Sequence, residues 1–409
     1  MKKSILCALL VSWIVGMVFS TPQTFAAAKE KKEKIVFGQA LSLSGQIAMQ
    51  ASFLEVPAIK LWLQEVNAKG GIYVKQYGKR LPVELKRYDD KSDVDTMLKL
   101  VKKLITEDKV DFMFPPSTSA MHFAMVPLAN RYKHPLVTWT VASDQLLEMA
   151  PKLPYVFHTS PPPSAHMEVG KDLYKELGVK SVALIYIQDL AGIEYSGALK
   201  SRLEKAGIEL VIYESYPPAA PDLSPLLKKI KAANPDALVA VTYPPDAFMI
   251  TEQSMVIDLN PRLFCLGIGG AMPVFRDKFG APKLEGVMAF GGWSPKSSPE
   301  AQEYFEKFKA LNKIEPDYWS ASYGYATYQI FEQAIEKAGT LDRDKVRDVL
   351  SKTAFTNTAA GNIAIKFEKQ MNYTMASYYG QWQNGVFEAL APTKTRTAKP
   401  LYPKPPWPK

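Results

Sequence analysis

Apolar runs that fit β-strands alternate with segments whose apolar residues recur at helical spacing. Ile35–Leu41 predicts a strand, and the apolar positions of Ala58–Val66 predict a helix that ends at Gly70-Gly71. The same pattern predicts strands at Leu81–Tyr88, Val110–Phe114 and Pro135–Thr140, and helices over Met97–Ile105 and Ala120–Tyr132. Strands separated by amphipathic helices are typical of a parallel sheet that is covered on both faces.

The segment His158–Pro163 interrupts this alternation. Its three consecutive prolines cannot continue a helix or a central strand, so we interpret it as a crossing between domains. The alternation then resumes, with strands predicted at Val182–Tyr186, Ile208–Tyr213, Ala237–Thr242 and Leu263–Leu266, and helices ending near Ala206, Ala233 and Leu259.

The last third of the chain turns helical after Gly286–Gly291 and then returns to strands. Two apolar helix faces, Tyr304–Phe308 and Tyr325–Ile335, precede a short helix that ends near Leu350. Strand-like segments follow at Gly361–Phe367 and Ser377–Trp382, and Asn384-Gly385 predicts a hairpin turn between Trp382 and Phe387. Residues 392–409 form a proline-rich tail, which we expect to run extended along the surface.

The first residues have the order of a secretory signal. Lys2 and Lys3 precede Ile5–Phe19, an apolar run of 15 residues, and Ala26–Ala28 supplies small residues for cleavage. That run is shorter than the roughly 20 residues that a spanning helix needs. We therefore expect a signal peptide at 1–28 and a mature protein in the periplasm, with an uncleaved anchor as the alternative.

Composition places the chain among ordinary globular proteins. It has 409 residues, 47% of them hydrophobic and 22% charged, which excludes wholesale disorder and favours two domains. The net charge of +9 is spread along the chain rather than gathered into a basic stripe with aromatic residues, so we predict no nucleic-acid partner. Without Cys7, which would leave with the signal, Cys265 has no partner for an internal disulfide.

The sequence lacks the motifs of common catalytic and metal sites. The histidines are His122, His134, His158 and His166, and none lies three to five residues from another, as a metal pair on one helix requires. There is no Gly-x-Ser-x-Gly elbow, and Gly267–Gly270 does not have the spacing of a phosphate loop. We predict neither an enzyme nor a cofactor or metal site.

Hydroxyl and aromatic side chains follow several predicted strands. Ser117–Ser119 lies between a strand and a helix, where hydroxyls and free N–H groups suit a carboxylate. Trp139-Thr140 and Tyr243 end two further strands. The alternatives are plain N-capping for the hydroxyls and sealing of the rim for the aromatic residues.

Several stretches together resemble the periplasmic substrate-binding proteins of the branched-chain amino-acid (leucine-binding) type that serve ABC importers. They are spread in order over nearly the whole mature chain: Leu41–Gly45, Glu65–Ile72, Tyr88–Asp93, Lys103–Asp111, Leu223–Asp236 and Gln381–Gly385. The resemblance implies a type I periplasmic binding protein, with two doubly wound α/β lobes joined by three hinge crossings. The implied lobes are 34–160 plus 291–358 and 161–290 plus 359–391.

The resemblance also implies a ligand site between the lobes. The family's pair of hydroxyl residues for the ligand carboxylate falls on Thr118 and Ser119. The other implied or candidate ligand-binding positions are Gln50, Ala120, Trp139, Thr140, Ala142, Tyr243, Gly269 and Trp319.

Three of the matched positions depart from the family pattern. Ala142 stands where the family pattern has a threonine, Ala191 where it has an aromatic residue, and Gly269 where it has the acidic partner of the ligand ammonium. Because a buried ammonium without a partner costs several kcal/mol, we expect a small organic acid or amide with an apolar or aromatic body. Asp189 or Asp246 from another loop could restore amino-acid binding.

The sequence therefore favours the extracytoplasmic solute-binding component of an ABC importer. Its expected partners are a small-molecule ligand and the membrane permease subunits, and we expect a monomer. A ligand sensor on the same fold and an ordinary leucine, isoleucine and valine binder are the alternatives.

Overall fold

Strands and helices alternate along most of the chain, as the pattern of apolar positions predicts. The computed structural model describes residues 32–141, 143–361, 363–375 and 377–408, so the predicted signal peptide at 1–28 lies outside the described residues. The strands are β1 (Ile35–Leu41), β2 (Ile72–Val74), β3 (Lys79–Leu81), β4 (Val83–Asp89), β5 (Phe112–Met113), β6 (Leu136–Thr138), β7 (Val156–His158), β8 (Ser181–Ile187), β9 (Glu209–Tyr216), β10 (Ala237–Val241), β11 (Leu263–Leu266), β12 (Met288–Phe290), β13 (Ala354–Phe355), β14 (Ile365–Lys366), β15 (Tyr379–Gln383) and β16 (Val386–Ala391).

The helices lie between these strands and after β12. They are α1 (Ala48–Gln50), α2 (Val56–Ala68), α3 (Val94–Thr106), α4 (Ser119–Arg131), α5 (Gln145–Met149), α6 (Pro163–Glu176), α7 (Leu190–Lys205), α8 (Ser224–Ala233), α9 (Pro244–Val256), α10 (Pro273–Phe279), α11 (Ala281–Leu284), α12 (Pro299–Asn312), α13 (Ala321–Ala338) and α14 (Arg343–Lys352). A π-helical turn, Ala51–Glu55, joins α1 to α2. The three prolines at 161–163 lead into α6, which begins at Pro163, because proline is accepted in a first helical turn.

Two groups of parallel strands confirm the predicted α/β fold. The first group has the order β4-β1-β5, with β6 and β7 as a separate parallel pair. The second is a seven-stranded sheet in the order β16-β15-β12-β11-β10-β8-β9, in which only β15 runs antiparallel to its neighbours, β12 and β16. All five residues of β10 are buried, as expected for a central strand that is covered on both faces.

The predicted hairpin turn at Asn384-Gly385 is confirmed. Both residues have positive φ, 52° and 75°, which a two-residue turn between right-twisted strands requires. Trp382 and Phe387 pair across this hairpin, with their ring centroids 5.1 Å apart.

Aromatic residues fill the core beneath the first sheet. Phe37 of β1 stacks on Phe114 with a centroid distance of 4.5 Å and meets Trp62 of α2 edge-on at 5.6 Å. Phe331 of α13 packs against the same ring, so the face predicted for this helix is buried. Helix α13 therefore returns to the first group of strands, although it follows β12 of the second.

The chain passes between the two groups of strands after β7, after β12 and before β15. Residues 370–372 pair with β7, since His158 N donates to Gln370 O at 2.8 Å and Asn372 N donates to His158 O at 2.9 Å. The lobe boundaries stay a prediction. Because residues 370–372 pair with β7 of the first group, we propose that the third crossing lies after Asn372 and before Tyr379, and not near Ala359.

The proline-rich tail is anchored to the second sheet. Trp407 Nε1 donates to Leu259 O at 2.8 Å, and the Trp407 ring lies 5.3 Å from that of Phe264 on β11. Lys404 is only 4% exposed, and its Nζ lies 3.5 Å from the Trp407 ring centroid and donates to Pro405 O. Burial lowers the pKa of Lys404 to about 7.

Lys404 should make the stability of the folded protein depend on pH. Between about pH 7 and the usual lysine pKa of 10.5, the unfolded chain binds a proton that the folded chain does not, so the free energy of unfolding rises with pH. Lys404→Met should remove this contribution. The check is chemical denaturation of both proteins at about pH 7 and about pH 9; equal changes in the two proteins would contradict the assignment.

Candidate functional site

A cleft lies where the carboxyl ends of strands from both groups meet the starts of helices. Its empty space is about 510 Å³, including the part that opens to solvent. A second space of about 300 Å³ adjoins it and shares five of its lining residues. The described residues that line the larger space are Gln50, Leu54, Ser117, Thr118, Ser119, Trp139, Thr140, Val141, Ser160, Ala191, Tyr195, Tyr243, Ile268, Trp319 and Ser320.

Two hydrogen bonds join helix α7 to the loop at 143–144 beside this cleft. Glu194 of α7 accepts from Ser143 Oγ at 2.7 Å and from Asp144 N at 2.8 Å. These bonds link the helix after β8 to the loop after β6, so elements that follow both groups of strands are joined beside the cleft.

Hydroxyls and a helix start form one end of the cleft. Thr118 is the N-cap of α4, and its Oγ1 accepts from Met121 N at 3.4 Å. Ser119 opens the helix, and Ser117 is fully buried with no hydrogen-bond partner for its Oγ among the described residues. The N-terminus of a helix carries a partial positive charge, so this end suits an anion.

Two further polar side chains brace the loop before α4. Gln50 Nε2 donates to Ser117 O at 2.8 Å, and Thr140 Oγ1 donates to Pro116 O at 2.6 Å. With its proton committed, the Thr140 hydroxyl offers a ligand only an acceptor. Gln50 and Thr140 therefore hold the loop in place as well as lining the cleft.

Aromatic side chains form the rest of the cleft wall. Trp139 and Tyr195 are buried, and Tyr243 and Trp319 are half-buried. Trp139 lies against Gly324 of α13, where a Cβ would come within 2.7 Å of the indole ring, so glycine is required there. Such a wall offers flat apolar faces together with hydroxyl and indole hydrogen-bonding groups.

The structure brings most of the candidate site residues to this one cleft. The members that line it are Gln50, Thr118, Ser119, Trp139, Thr140, Tyr243 and Trp319. Ala120 is exposed on α4 and Gly269 is buried, and neither lines the cleft; Ala142 lies outside the described residues. Their roles in binding stay a prediction.

Gly269 has no room for any side chain. A Cβ at this position would lie 2.5 Å from Pro244 Cα and 2.8 Å from Ala247 Cβ, at the start of α9. Glycine at this position therefore allows the turn to pack closely on the start of α9.

The described residues that line the two spaces include no aspartate, glutamate, lysine or arginine. The two carboxylates that could restore amino-acid binding, Asp189 and Asp246, line neither space. Asp189 caps α7 by accepting from Gly192 N at 2.7 Å, and Asp246 is buried, with its pKa raised by desolvation. Asp189 also raises the pKa of the Tyr243 hydroxyl, after the larger effect of burial.

The sequence did not indicate several residues of the lining. Tyr195 lies one turn inside α7, and Leu54 belongs to the π-helical turn. An aromatic residue soon after a strand-to-helix junction is a usable signal for Tyr195. No periodic pattern would have identified Leu54, because a π-helical turn shifts the register of the helix.

The four histidines are buried and neutral. Burial lowers the pKa values of His134, His158 and His166 to about 3, and that of His122 lies well below its usual range. Among the described residues, no three metal-binding side chains come together, and no helix is both long and apolar enough to cross a bilayer.

Comparison with known proteins identifies the family. A family model described as "Periplasmic binding protein" matches residues 34–386.

The chain belongs to the periplasmic binding protein family. Its fold is the type I fold of this family, whose members bind substrates and in general are not enzymes. The chain is 23% identical to "Leu/Ile/Val-binding protein homolog 8" of Brucella suis over 98% of this chain and 100% of that protein. It is 22% identical to "Leu/Ile/Val-binding protein homolog 7" of the same organism over 92% of this chain and 96% of that protein.

Solved structures of this periplasmic binding protein family have the same fold. The substrate-binding protein LivJ of Streptococcus pneumoniae, in complex with isoleucine, has a TM-score of 0.75 at 22% identity and covers 87% of this chain and 98% of its own. A solute-binding protein of Rhodopseudomonas palustris BisB5, in complex with 3,4-dihydroxybenzoic acid, has a TM-score of 0.70 at 19% identity, with 92% and 98% covered.

The hydroxyl end of the cleft gives the first test of the binding site. Replacing Thr118 and Ser119 together by alanine should abolish the stabilisation by ligand, because the hydroxyls at the start of α4 are lost. Loss of the Thr118 cap should cost the free protein only about 1 kcal/mol, so it should still fold. Thermal melts with and without ligand measure both effects, and an unchanged ligand shift would refute the assignment.

The packing at Gly269 gives a second test. Gly269→Ala should lower the free energy of unfolding by about 1–3 kcal/mol, since the new Cβ overlaps α9. Gly197→Ala is the matched control, because a Cβ there meets no atom within 4 Å and should stabilise α7 by about 0.5–1 kcal/mol. Denaturant titration of both variants would contradict the packing argument if Gly269→Ala were as stable as its control.

Proposed function

We propose that this binding protein captures a small carboxylate-bearing ligand with an apolar or aromatic body and delivers it to the permease subunits of an ABC importer. The observation that carries the proposal is the division of the cleft. One end combines hydroxyls with the start of α4, and the remaining wall is aromatic. A carboxylate would lie at the first end, and the body of the ligand would pack against Trp139, Tyr243 and Trp319.

The uncharged lining supports an organic acid over an α-amino acid. An ammonium group brought into the cleft needs a carboxylate or several acceptors, and an unpaired buried charge costs several kcal/mol. Gly269 has no room for an acidic side chain, and Asp189 and Asp246 line neither space. The ligands named for the two solved structures, isoleucine and 3,4-dihydroxybenzoic acid, both carry a carboxylate, but only the first has an α-ammonium group.

The remaining parts of the proposal concern location and partners. A signal at 1–28 would export the chain to the periplasm, which agrees with the family to which it belongs. The closed form, held by Glu194 on the loop at 143–144, would present both lobes of a monomer to the permease. Closure driven by a ligand requires that the ligand prefer the closed state.

A ligand panel tests the proposed specificity. We expect 4-methylpentanoate and 3,4-dihydroxybenzoate to raise the melting temperature more than L-leucine, L-isoleucine or L-valine. A ligand at about 100 times its Kd adds about 2.7 kcal/mol of stability, which a thermal melt detects easily. The methyl ester of 3,4-dihydroxybenzoate is the control for the carboxylate and should give no shift.

The pair of 4-methylpentanoate and L-leucine is decisive, because the two differ only by the amino group. Tighter binding of L-leucine in isothermal titration calorimetry would contradict the organic-acid proposal and support an ordinary leucine, isoleucine and valine binder.

A further inference from the structure

A buried carboxyl group lies directly behind the hydroxyl end of the cleft. Glu55 is the last residue of the π-helical turn and is only 1% exposed, and neither of its oxygens makes a hydrogen bond to a described residue. Its neighbour Leu54 lines the cleft. Turns of this kind often occur at functional sites, where the extra residue redirects a side chain.

Charged and polar groups from four other elements face Glu55. These are Ser117 from the loop before α4, Arg87 from β4, Asp317 from the loop before α13, and Tyr328 from α13. We call this group, together with Glu55, the buried carboxyl cluster. It holds two carboxyls but one guanidinium, so both carboxyls cannot be neutralised by pairing.

Hydrogen bonds to neighbouring residues keep two members of the buried carboxyl cluster, Arg87 and Asp317, in place. Arg87 Nε donates to Gln39 Oε1 at 3.0 Å, while its Nη2 has no described partner. Asp317 Oδ1 accepts from Trp319 N at 2.9 Å and from Ser320 N at 2.7 Å, whereas Glu55 has no such backbone donors from another element. Asp317 is therefore the better-solvated carboxylate of the two.

Desolvation is the main influence on Glu55. Burial raises its pKa to about 8. Its own backbone N–H and the Ser117 hydroxyl lower that pKa, the charge of Asp317 raises it, and the charge of Arg87 lowers it. The pKa of Asp317 is raised only to about 6. Of these two carboxyls, Glu55 is therefore the one that keeps its proton to higher pH.

Ser117, which interacts with Glu55, also lines the cleft. Ser117 is fully buried and lines the cleft, and its Oγ has no described hydrogen-bond partner. The backbone carbonyl of Ser117 is held by Gln50, so its hydroxyl can rotate while the loop stays fixed. A hydroxyl group donates one hydrogen bond. The direction of its O–H bond depends on which neighbouring group donates to it and which accepts from it.

We propose that Glu55 is a positioning residue that sets the direction of the Ser117 hydroxyl and so restricts the cleft to anionic ligands at neutral pH. Protonated Glu55 donates to Ser117 Oγ, and the Ser117 proton is then free for a ligand carboxylate. Ionised Glu55 accepts the Ser117 proton instead, and the lone pairs of Ser117 turn towards the ligand and repel a carboxylate. The inference rests on the proposed function, because it assumes a carboxylate at this end of the cleft.

The pH dependence of carboxylate binding tests this inference. The probe is 4-methylpentanoate, which has no group that titrates between about pH 7 and about pH 9. With a Glu55 pKa of about 8, its Kd should be roughly tenfold higher at about pH 9 than at about pH 7. Titration calorimetry at about pH 9, in two buffers of different ionisation enthalpy, should show proton uptake on binding.

Three variants separate positioning from a purely structural role. Glu55→Gln keeps a donor beside Ser117 and should bind at about pH 7 with an affinity close to that of the wild type, but with no pH dependence. Ser117→Ala should bind more weakly and also lose the pH dependence, which covers the case in which Glu55→Gln does not fold. Glu107→Gln removes an exposed carboxylate, with 68% of its side chain accessible, and should keep the wild-type profile.

Each contrary outcome has a distinct meaning. A Kd that does not change with pH, or a Glu55→Gln or Ser117→Ala profile equal to that of the wild type, overturns the inference and leaves the proposed function standing. Failure of every carboxylate to bind at any pH overturns both. Infrared spectroscopy gives a readout without ligand: the wild type at about pH 7 should show a protonated-carboxyl band that Glu55→Gln lacks, and absence of that band overturns the inference.

Discussion

The free N–H groups at the start of a helix need an acceptor, and in this protein the start of α4 faces a cleft instead of water. Thr118 satisfies one of these groups, and the hydroxyls of Ser117 and Ser119 lie beside the rest. The cleft therefore presents N–H and O–H donors to a ligand. A ligand that displaces water from these donors without accepting hydrogen bonds from them would incur the desolvation cost of each group. Because the strands of a parallel sheet run into helix starts at one edge, this requirement places the hydroxyl end in the cleft.

Four carboxyl groups interact with residues of the cleft without lining it. Asp189 and Asp246 interact with Tyr243, Glu55 with Ser117, and Asp317 with Ser320. In the proposed arrangement, Glu55 would act on a ligand through the Ser117 hydroxyl, in the way that the second layer of a metal site orients its ligands. The lining can be uncharged and still respond to charge.

Much of the fold could be predicted from the sequence, because strands, helices and turns depend on the period of apolar residues and on the residue types of the turns. The strand at Leu263–Leu266 and the hairpin at Asn384-Gly385 came directly from such signals. The short strand β7 and the β2-β3 hairpin were missed, whereas the comparably short β5 and β6 lie in the longer predicted strands Val110–Phe114 and Pro135–Thr140. The pairing of 370–372 with β7 was also missed, because it joins residues far apart in the chain.

The candidate site divides in a similar way. Strand ends that run into helix starts located Thr118, Ser119, Trp139, Thr140 and Tyr243 without any coordinates. Tyr195 and Leu54 depend on which helix face turns towards the cleft, and Glu55 depends on a π-helical turn that no apolar period reveals. Residues that act through three-dimensional packing are thus the ones that a linear pattern cannot supply.

The order of strands in the second sheet has a consequence for how the chain reaches its final form. β12 gains its outer neighbour only from β15, and β15 in turn from β16, at the far end of the sequence. A chain that is made from its N-terminus therefore exposes an unpaired edge at β12 until the last strands arrive, and such edges are sites of aggregation. The second half of the molecule must wait for its C-terminal residues, so a truncated or stalled product would be more prone to self-association than to partial activity.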